Sequence, residues 1–330
     1  MYRRAAFNQV TAVHRALVHG AARHRTHRQQ YPRHSRAAAV HTSTTTMSMS
    51  AQASQTVPRL EAPDLSCAQE PGHVRSVSET LGQRGILKVS LGFADRESRY
   101  LEQLLRSLHQ HHGHQLPISH SATRGWFWDV VPSSTSFQTA NCQARSETMD
   151  DFPWHTDCSY EDPPPRYFAL QVLQPDRCGG GTLSLMNVER LSERLSPEAR
   201  ASLARPEFLV RTPPEFVKHP GQEDIVASIL LADGEGRLTR MRFREDLLTP
   251  LSERASAALA ELTQALQGAE ARGSHSTARL DLTPEVLPER SIIMIDNRRW
   301  LHARNRVRDP ERHLRRVRWD AVPFAGLPAI

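Results

Sequence analysis

From residue 125 onward the chain is a succession of short apolar segments, and that pattern limits the folds open to it. Gly125–Val131, Ser136–Asn141, Tyr167–Leu173, Thr182–Asn187, Ile225–Leu230, Leu238–Phe243, Ala278–Leu282, Ser291–Asp296 and Leu314–Val322 each read as a strand, bounded by Pro, Gly or Asn turns. Two helical stretches interrupt them. Pro197–Arg205 follows Ser196 as an N-cap, and Leu251–Leu266 is rich in Ala and Leu. Strands and helices do not alternate, which disfavours a parallel α/β sheet. A mainly β architecture is expected, a sandwich or jelly roll with flanking helices. Upstream, Val77–Gly85 reads as a short helix, Ile86–Leu91 as a strand and residues 95–112 as a helix. Leu101, Leu104, Leu105 and Leu108 line one face of the last helix, and Gly113 stops it. The His residues at its end (109, 111, 112 and 114) suit a solvated helix terminus better than a metal cluster.

The 330 residues would admit two average domains, but all-β units often exceed about 200 residues as one. One folded domain is therefore expected over 57–330, starting at Val57. No run of about 18 apolar residues exists, so no membrane span is expected. Charge is concentrated in the head. The first 60 residues hold nine Arg and no Lys, Asp or Glu, while the remaining 33 basic residues face 36 acidic ones. Residues 1–18 place Phe7, Val10, Val13, Ala16 and Leu17 at helical spacing, and the head is rich in Ser, Thr and Ala. Residues 1–56 thus have the composition of a mitochondrial targeting segment, with a disordered basic tail in a cytoplasmic protein as the alternative. A nucleic-acid arm is a third use of such a head, and the net-negative body argues against it. Cys67, Cys142, Cys158 and Cys178 form no zinc-like spacing and read as free thiols.

The chemistry-bearing residues are His155 and Asp157, in Phe-Pro-Trp-His-Thr-Asp, and His302 in Ile-Asp-Asn-Arg-Arg-Trp-Leu-His. Two imidazoles and one carboxylate are the ligand set that holds Fe(II) on one face and leaves the other positions open. A His-x-Asp pair alone is weak. With 17 His in 330 residues, chance supplies roughly one. Context strengthens it. Ligands at i and i+2 on extended backbone face the same way. A Gly179-Gly180-Gly181-Thr182 turn leads into a strand, and the apolar Ser291–Asp296 strand delivers His302 just beyond it. A further strand returns after Asp309-Pro310, with Arg312, Leu314, Arg316 and Arg318 on one face.

From Phe152 to Phe324 the sequence resembles the Fe(II)- and 2-oxoglutarate-dependent dioxygenases of the taurine dioxygenase and clavaminate synthase type. The motifs that carry the resemblance are Trp-His-Thr-Asp-Cys-Ser-Tyr (154–160), Gly-Gly-Gly-Thr (179–182), Asp-Asn-Arg-Arg-Trp-Leu-His (296–302) and Arg-Arg-Val-Arg (315–318). The resemblance implies a double-stranded β-helix with His155, Asp157 and His302 as iron ligands. It implies that Arg316 and Thr182 bind the far carboxylate of 2-oxoglutarate, with Arg318 on the same face for cosubstrate or substrate. O2 would be the oxidant, succinate and CO2 the coproducts, and a small molecule, an amino acid or other acid, the hydroxylated substrate. Asp157 favours hydroxylation over halogenation, because halogenases of this fold lack the carboxylate. The chain lacks the N-terminal cysteine-rich domain of relatives that hydroxylate trimethyllysine or butyrobetaine, which argues against a carnitine-pathway role. Arg242, Arg244, Arg298, Arg299 and Asn141 are weaker candidates for an anionic substrate. The competing expectation is a catalytically inactive jelly roll that binds a metal or small acid as a sensor.

Overall fold

The computed structural model describes residues 56–119, 125–134, 143–217, 221, 224–270 and 278–324. Residues 1–55 of the basic head, Asn141 and the expected strand Ser136–Asn141 lie outside them. In chain order the elements are β1 (Arg59–Ala62), α1 (Pro71–Arg84), β2 (Ile86–Leu91), α2 (Arg99–His112), β3 (Phe127–Val130), β4 (Phe152–His155), β5 (Pro165–Gln174) and β6 (Leu183–Asn187). There follow α3 (Val188–Ser192), α4 (Pro197–Leu203), β7 (Phe208–Arg211), β8 (Asp224–Ala227), β9 (Leu230–Ala232), β10 (Leu238–Met241) and β11 (Leu248–Pro250). The chain closes with α5 (Glu253–Glu270), β12 (Arg279–Leu282), β13 (Ser291–Asp296), β14 (Trp300–Arg304) and β15 (His313–Ala321).

Two sheets carry the architecture. One has six strands in the order β1-β2-β13-β5-β15-β3, the other four in the order β12-β6-β14-β4. Only β1 and β2 pair in parallel among these strands. Their facing surfaces form one apolar cluster. Trp128, Phe168, Leu170, Ile293, Ile295 and Leu314 come from the larger sheet, Leu183, Leu185 and Trp300 from the smaller. This is the double-stranded β-helix that the resemblance implied, in keeping with the sandwich or jelly roll expected from the strand pattern. The period-2 alternation sends the next residues outward, where helices cover them. α1 and α2 pack on the larger sheet through Val77, Leu81, Leu101 and Leu104. α3, α4 and α5 pack on the smaller sheet against Met186 and Leu301.

Local chemistry sets the boundaries. α2 begins at Arg99 because the Asp95 carboxylate accepts hydrogen bonds from the backbone N–H of Arg99 and of Tyr100, both at 2.9 Å. It ends at Gly113, whose φ of 73° is the left-handed conformation glycine adopts freely. Leu101, Leu104, Leu105 and Leu108 are at most 2 % exposed, and each contributes about 1.5–3 kcal/mol by burial. α1 starts six residues earlier than the sequence suggests, at Pro71. Proline at a first helical position lacks only an N–H the helix would leave unpaired, so Pro71-Gly72 opens a helix here and not a turn. His114, in the His-rich terminus, is a packed residue. Its ring stacks on Tyr167 and its Nδ1 accepts a hydrogen bond from Trp319 Nε1 at 3.1 Å. Cys67, Cys158 and Cys178 are free, as expected, and Cys142 lies outside the described residues.

Candidate active site

β4 and β14 pair antiparallel with His155 directly opposite His302. Register therefore brings the imidazoles together, with ring centroids 4.0 Å apart. Asp157 follows β4 in a loop held from several sides. Asn297, in the β13–β14 turn, accepts from the Asp157 N–H at 2.7 Å and donates to the Asp157 carbonyl at 2.9 Å. The Thr156 N–H donates to the Phe243 carbonyl at 2.7 Å. Cys158 then turns the chain with φ at 53°, a conformation that costs a non-glycine residue about 1–2 kcal/mol. That strain is offset by the bonds that fix Asp157 beneath the two rings.

The three side chains are 4–6 % exposed, and their ligand atoms all lie within 4.8 Å of one another. Among the described residues, no other group of three His, Cys, Asp or Glu side chains is placed to hold a metal ion. Asp157 Oδ1 is 3.6 Å from His302 Nε2, 3.9 Å from His155 Nε2 and 3.2 Å from Arg316 Nη1. Its Oδ2 is buried without a hydrogen-bond partner. An unpaired buried carboxylate oxygen is costly unless a cation meets it. His155 bonds the Pro153 carbonyl through Nδ1 at 2.8 Å, which leaves Nε2 with its lone pair toward the cluster. Burial, together with His302, holds the His155 imidazole well below its usual range, so it is neutral and able to ligate. Burial raises the Asp157 carboxyl, but Arg316, His302 and Arg318 outweigh it and keep the group ionised. The residues present therefore fit a divalent metal of the kind a two-His, one-carboxylate face holds.

Aromatic rings shield the cluster. Phe152 stacks on His155 at 3.7 Å between centroids, and Phe168 leans on His302 at 4.5 Å. Two small adjoining cavities of about 30 and 40 Å³ flank it. One runs past Tyr160, Phe216, Arg244 and Arg318, the other past Leu170, Arg304, Arg312 and Leu314, and Arg316 lines both.

Arg316 and Arg318 are thus at the cluster, as the alternation on β15 implies. Arg318 donates to Cys158 Sγ. Thr182 lines neither cavity. Its backbone N–H instead donates to Asn305 Oδ1 at 2.7 Å. Arg244 lines the first cavity and is held by Asp246 through two bonds of 3.0 Å. Arg242 is buried against Asp162 and Phe324 and lines neither cavity. Arg298 and Arg299 line a separate cavity of about 480 Å³, larger than those at the His155–Asp157–His302 cluster, and none of those three residues lines it. The candidates reasoned from sequence did not include Arg312. It is buried, and its Nη1 has no partner. Burial and the neighbouring Arg304 push its pKa down to about 9, the mark of a buried cation short of counter-charge. A Cβ on Gly181 would meet Arg312 Nε at 2.9 Å, so the glycine turn is what lets this side chain pass. The signal was in the sequence: Arg312 stands an even number of positions before Arg316, one residue ahead of the start of β15.

The taurine catabolism dioxygenase TauD, TfdA family matches residues 53–318. No curated protein sequence matches the chain. Among solved structures, asparagine oxygenase in complex with Fe(II), 2S,3S-3-hydroxyasparagine and succinate is similar, with a TM-score of 0.58 at 18 % identity, over 81 % of this chain and 86 % of that one. The non-heme iron oxygenase OrfP in complex with Fe and alpha-ketoglutaric acid has a TM-score of 0.58 at 15 % identity, over 81 % of this chain and 95 % of that one. OrfP with Fe, succinate and (3S)-hydroxy-L-Arg has 0.55 at 13 %, over 78 % and 86 %.

Proposed function

Because the chain belongs to the taurine catabolism dioxygenase TauD, TfdA family and is thereby a dioxygenase, we propose that it hydroxylates a small acid, an amino acid or other carboxylate, with Fe(II) as metal and 2-oxoglutarate and O2 as cosubstrates. The observation that carries this reading is the buried His155–Asp157–His302 cluster with its unpaired carboxylate oxygen. The amino-acid derivatives bound by asparagine oxygenase and OrfP support that substrate class. Bound Fe(II) supplies oxygen activation coupled to decarboxylation of 2-oxoglutarate to succinate and CO2.

The protein's own part is positioning. His155 presents Nε2 because the Pro153 carbonyl holds Nδ1. Phe152 and Phe168 keep water off the imidazoles. Arg318 and Arg244 face the first cavity and would orient an acidic group of the substrate. Anchoring of the far carboxylate of 2-oxoglutarate falls to β15 and the residue just before it. Arg316 together with Thr182 is the choice implied by the resemblance, although Thr182 lines neither cavity. Arg312 is a second choice, favoured by its unpaired Nη1 and its place in the cavity that His302 also lines. Arg316 reaches the metal-ligand oxygen itself, whereas an anchor must stand a cosubstrate's length away. A planar guanidinium meets a carboxylate through two parallel hydrogen bonds, which Lys cannot reproduce.

Anaerobic addition of Fe(II) and 2-oxoglutarate to the protein is expected to give the visible charge-transfer band of the chelate, and His155→Ala or His302→Ala to remove it. A folded protein without the band would return the inactive-sensor alternative. Residues 1–56 are proposed to direct the chain to mitochondria, on their acid-free, Arg-rich composition. A reporter fused behind residues 1–56 that stays in the cytosol would remove that assignment.

A further inference from the structure

We propose that the 480 Å³ cavity beside the β13–β14 turn binds a phosphate-type dianion, either inorganic phosphate or the phosphate of a small monoester. Its size suits such a ligand, since small-molecule sites run from about 300 to 1,000 Å³. Five guanidiniums line it, from Arg166, Arg237, Arg240, Arg298 and Arg299, against three carboxylates, from Glu189, Asp233 and Asp296.

Pairing is uneven: the carboxylates gather on Arg166 and Arg237, with Asp320 and Glu235 joining from outside the lining. Arg237 takes two of the carboxylates, lying 3.0 Å from Asp233 and 3.7 Å from Glu189. Arg166 lies 3.5 Å from Asp296 and 3.8 Å from Asp320. Arg299 spends its guanidinium on the carbonyls of Gly82 and Gln83, at 3.0 and 3.1 Å. Arg298, 5 % exposed, donates to the carbonyls of Pro164, Val322 and Pro323 and to no acid. Arg240 has no hydrogen-bond or ion-pair partner among the described residues, although it is half-buried. Burial pushes the pKa of Arg298 down to about 10, and the nearby Arg166 and Arg240 add to the effect. Three of the five guanidiniums, those of Arg240, Arg298 and Arg299, thus have no carboxylate partner among the described residues, and that of Arg298 is buried. A tetrahedral dianion accepts several charge-assisted hydrogen bonds at once and is the natural counter-charge for convergent guanidiniums.

The cavity also touches the metal centre through the backbone. Asp296 and Arg298 line it, and Asn297 between them holds the Asp157 N–H and carbonyl. An anion there would brace the turn that positions the metal-ligand loop, without entering the barrel.

The experiment is thermal melting of the metal-free full chain against inorganic phosphate, glycerol phosphate and chloride at matched ionic strength. A saturable stabilisation by phosphate, absent with chloride, is expected. Glycerol phosphate tells the sources apart: binding tighter than phosphate assigns a monoester, and weaker binding assigns the free ion. Arg240→Gln removes a side chain with no partner to orphan, so the variant should fold, and it is expected to weaken phosphate at least about tenfold. Arg316→Gln, inside the barrel, is expected to leave that binding unchanged. Equal effects of phosphate and chloride would overturn the proposal. So would binding lost in Arg316→Gln and retained in Arg240→Gln, since the anion would then sit at the metal ligands.

Discussion

Asp157→Ala is expected to abolish 2-oxoglutarate-dependent turnover and to lower the thermal midpoint in the same variant. The activity loss follows from the donor set. Two imidazoles remain, and neither can neutralise a divalent ion. A barrier raised by about 4 kcal/mol or more is a fall of roughly a thousandfold. The stability loss follows from the charges left behind. Asp157 lies 3.2 Å from Arg316, and both are more than nine-tenths buried. Removing one partner of a buried pair typically costs about 3–5 kcal/mol. Because an excess of buried guanidinium is the cause, Asp157→Ala together with Arg316→Met is expected to regain much of the midpoint and none of the activity. Succinate formation at the wild-type rate by folded Asp157→Ala would sink the iron assignment.

The second large effect concerns the cosubstrate. Arg312→Gln is expected to raise the KM for 2-oxoglutarate roughly 30- to 700-fold, the range that 2–4 kcal/mol from a buried charge pair converts to. Removing the guanidinium leaves the carboxylate facing Leu170, Leu183 and Leu314, which offer it no hydrogen bond. Arg316→Gln is the comparison that separates the two residues. If Arg312 is the anchor, Arg316→Gln lowers kcat more than it raises this KM, because Arg316 contacts the Asp157 carboxylate. If Arg316 is the anchor, the KM effect moves to it and Arg312→Gln changes little. Initial-rate measurements of succinate against 2-oxoglutarate concentration read both constants.

Much of this was legible in the chain. β2 and β13 begin and end where their apolar alternation does, at Ile86–Leu91 and Ser291–Asp296. His155, Asp157 and His302 come together as their spacing and context implied. The sequence hid the strands that carry function. β14 reads Trp-Leu-His-Ala-Arg, and its inward positions are Trp300, His302 and Arg304. Arg304 is buried yet gives its guanidinium to the carbonyls of Ser146, Thr148 and Asp150. A buried Arg satisfied by backbone breaks the apolar pattern on which strand recognition depends. β4, with Pro153 and His155, is masked in the same way. The chain also reveals three arginines of one parity, two on β15 and one just before it, without revealing which end the cosubstrate meets. That is a matter of depth in the barrel, which strand parity does not encode.

Asn297 grips the backbone of Asp157 from 140 residues further along the chain. β4 likewise finds His302 only when β14 has been made and paired. The centre has no local precursor: no fragment ending before β14 brings the three donors together, and contacts this distant in sequence form late in folding. Metal capture is therefore an act of the finished barrel, since a binding site of this kind does not exist in an unfolded chain. A polypeptide still being synthesised, or threaded unfolded through a translocation pore, travels without iron. The compartment in which it completes β14 is the one whose iron supply it draws on.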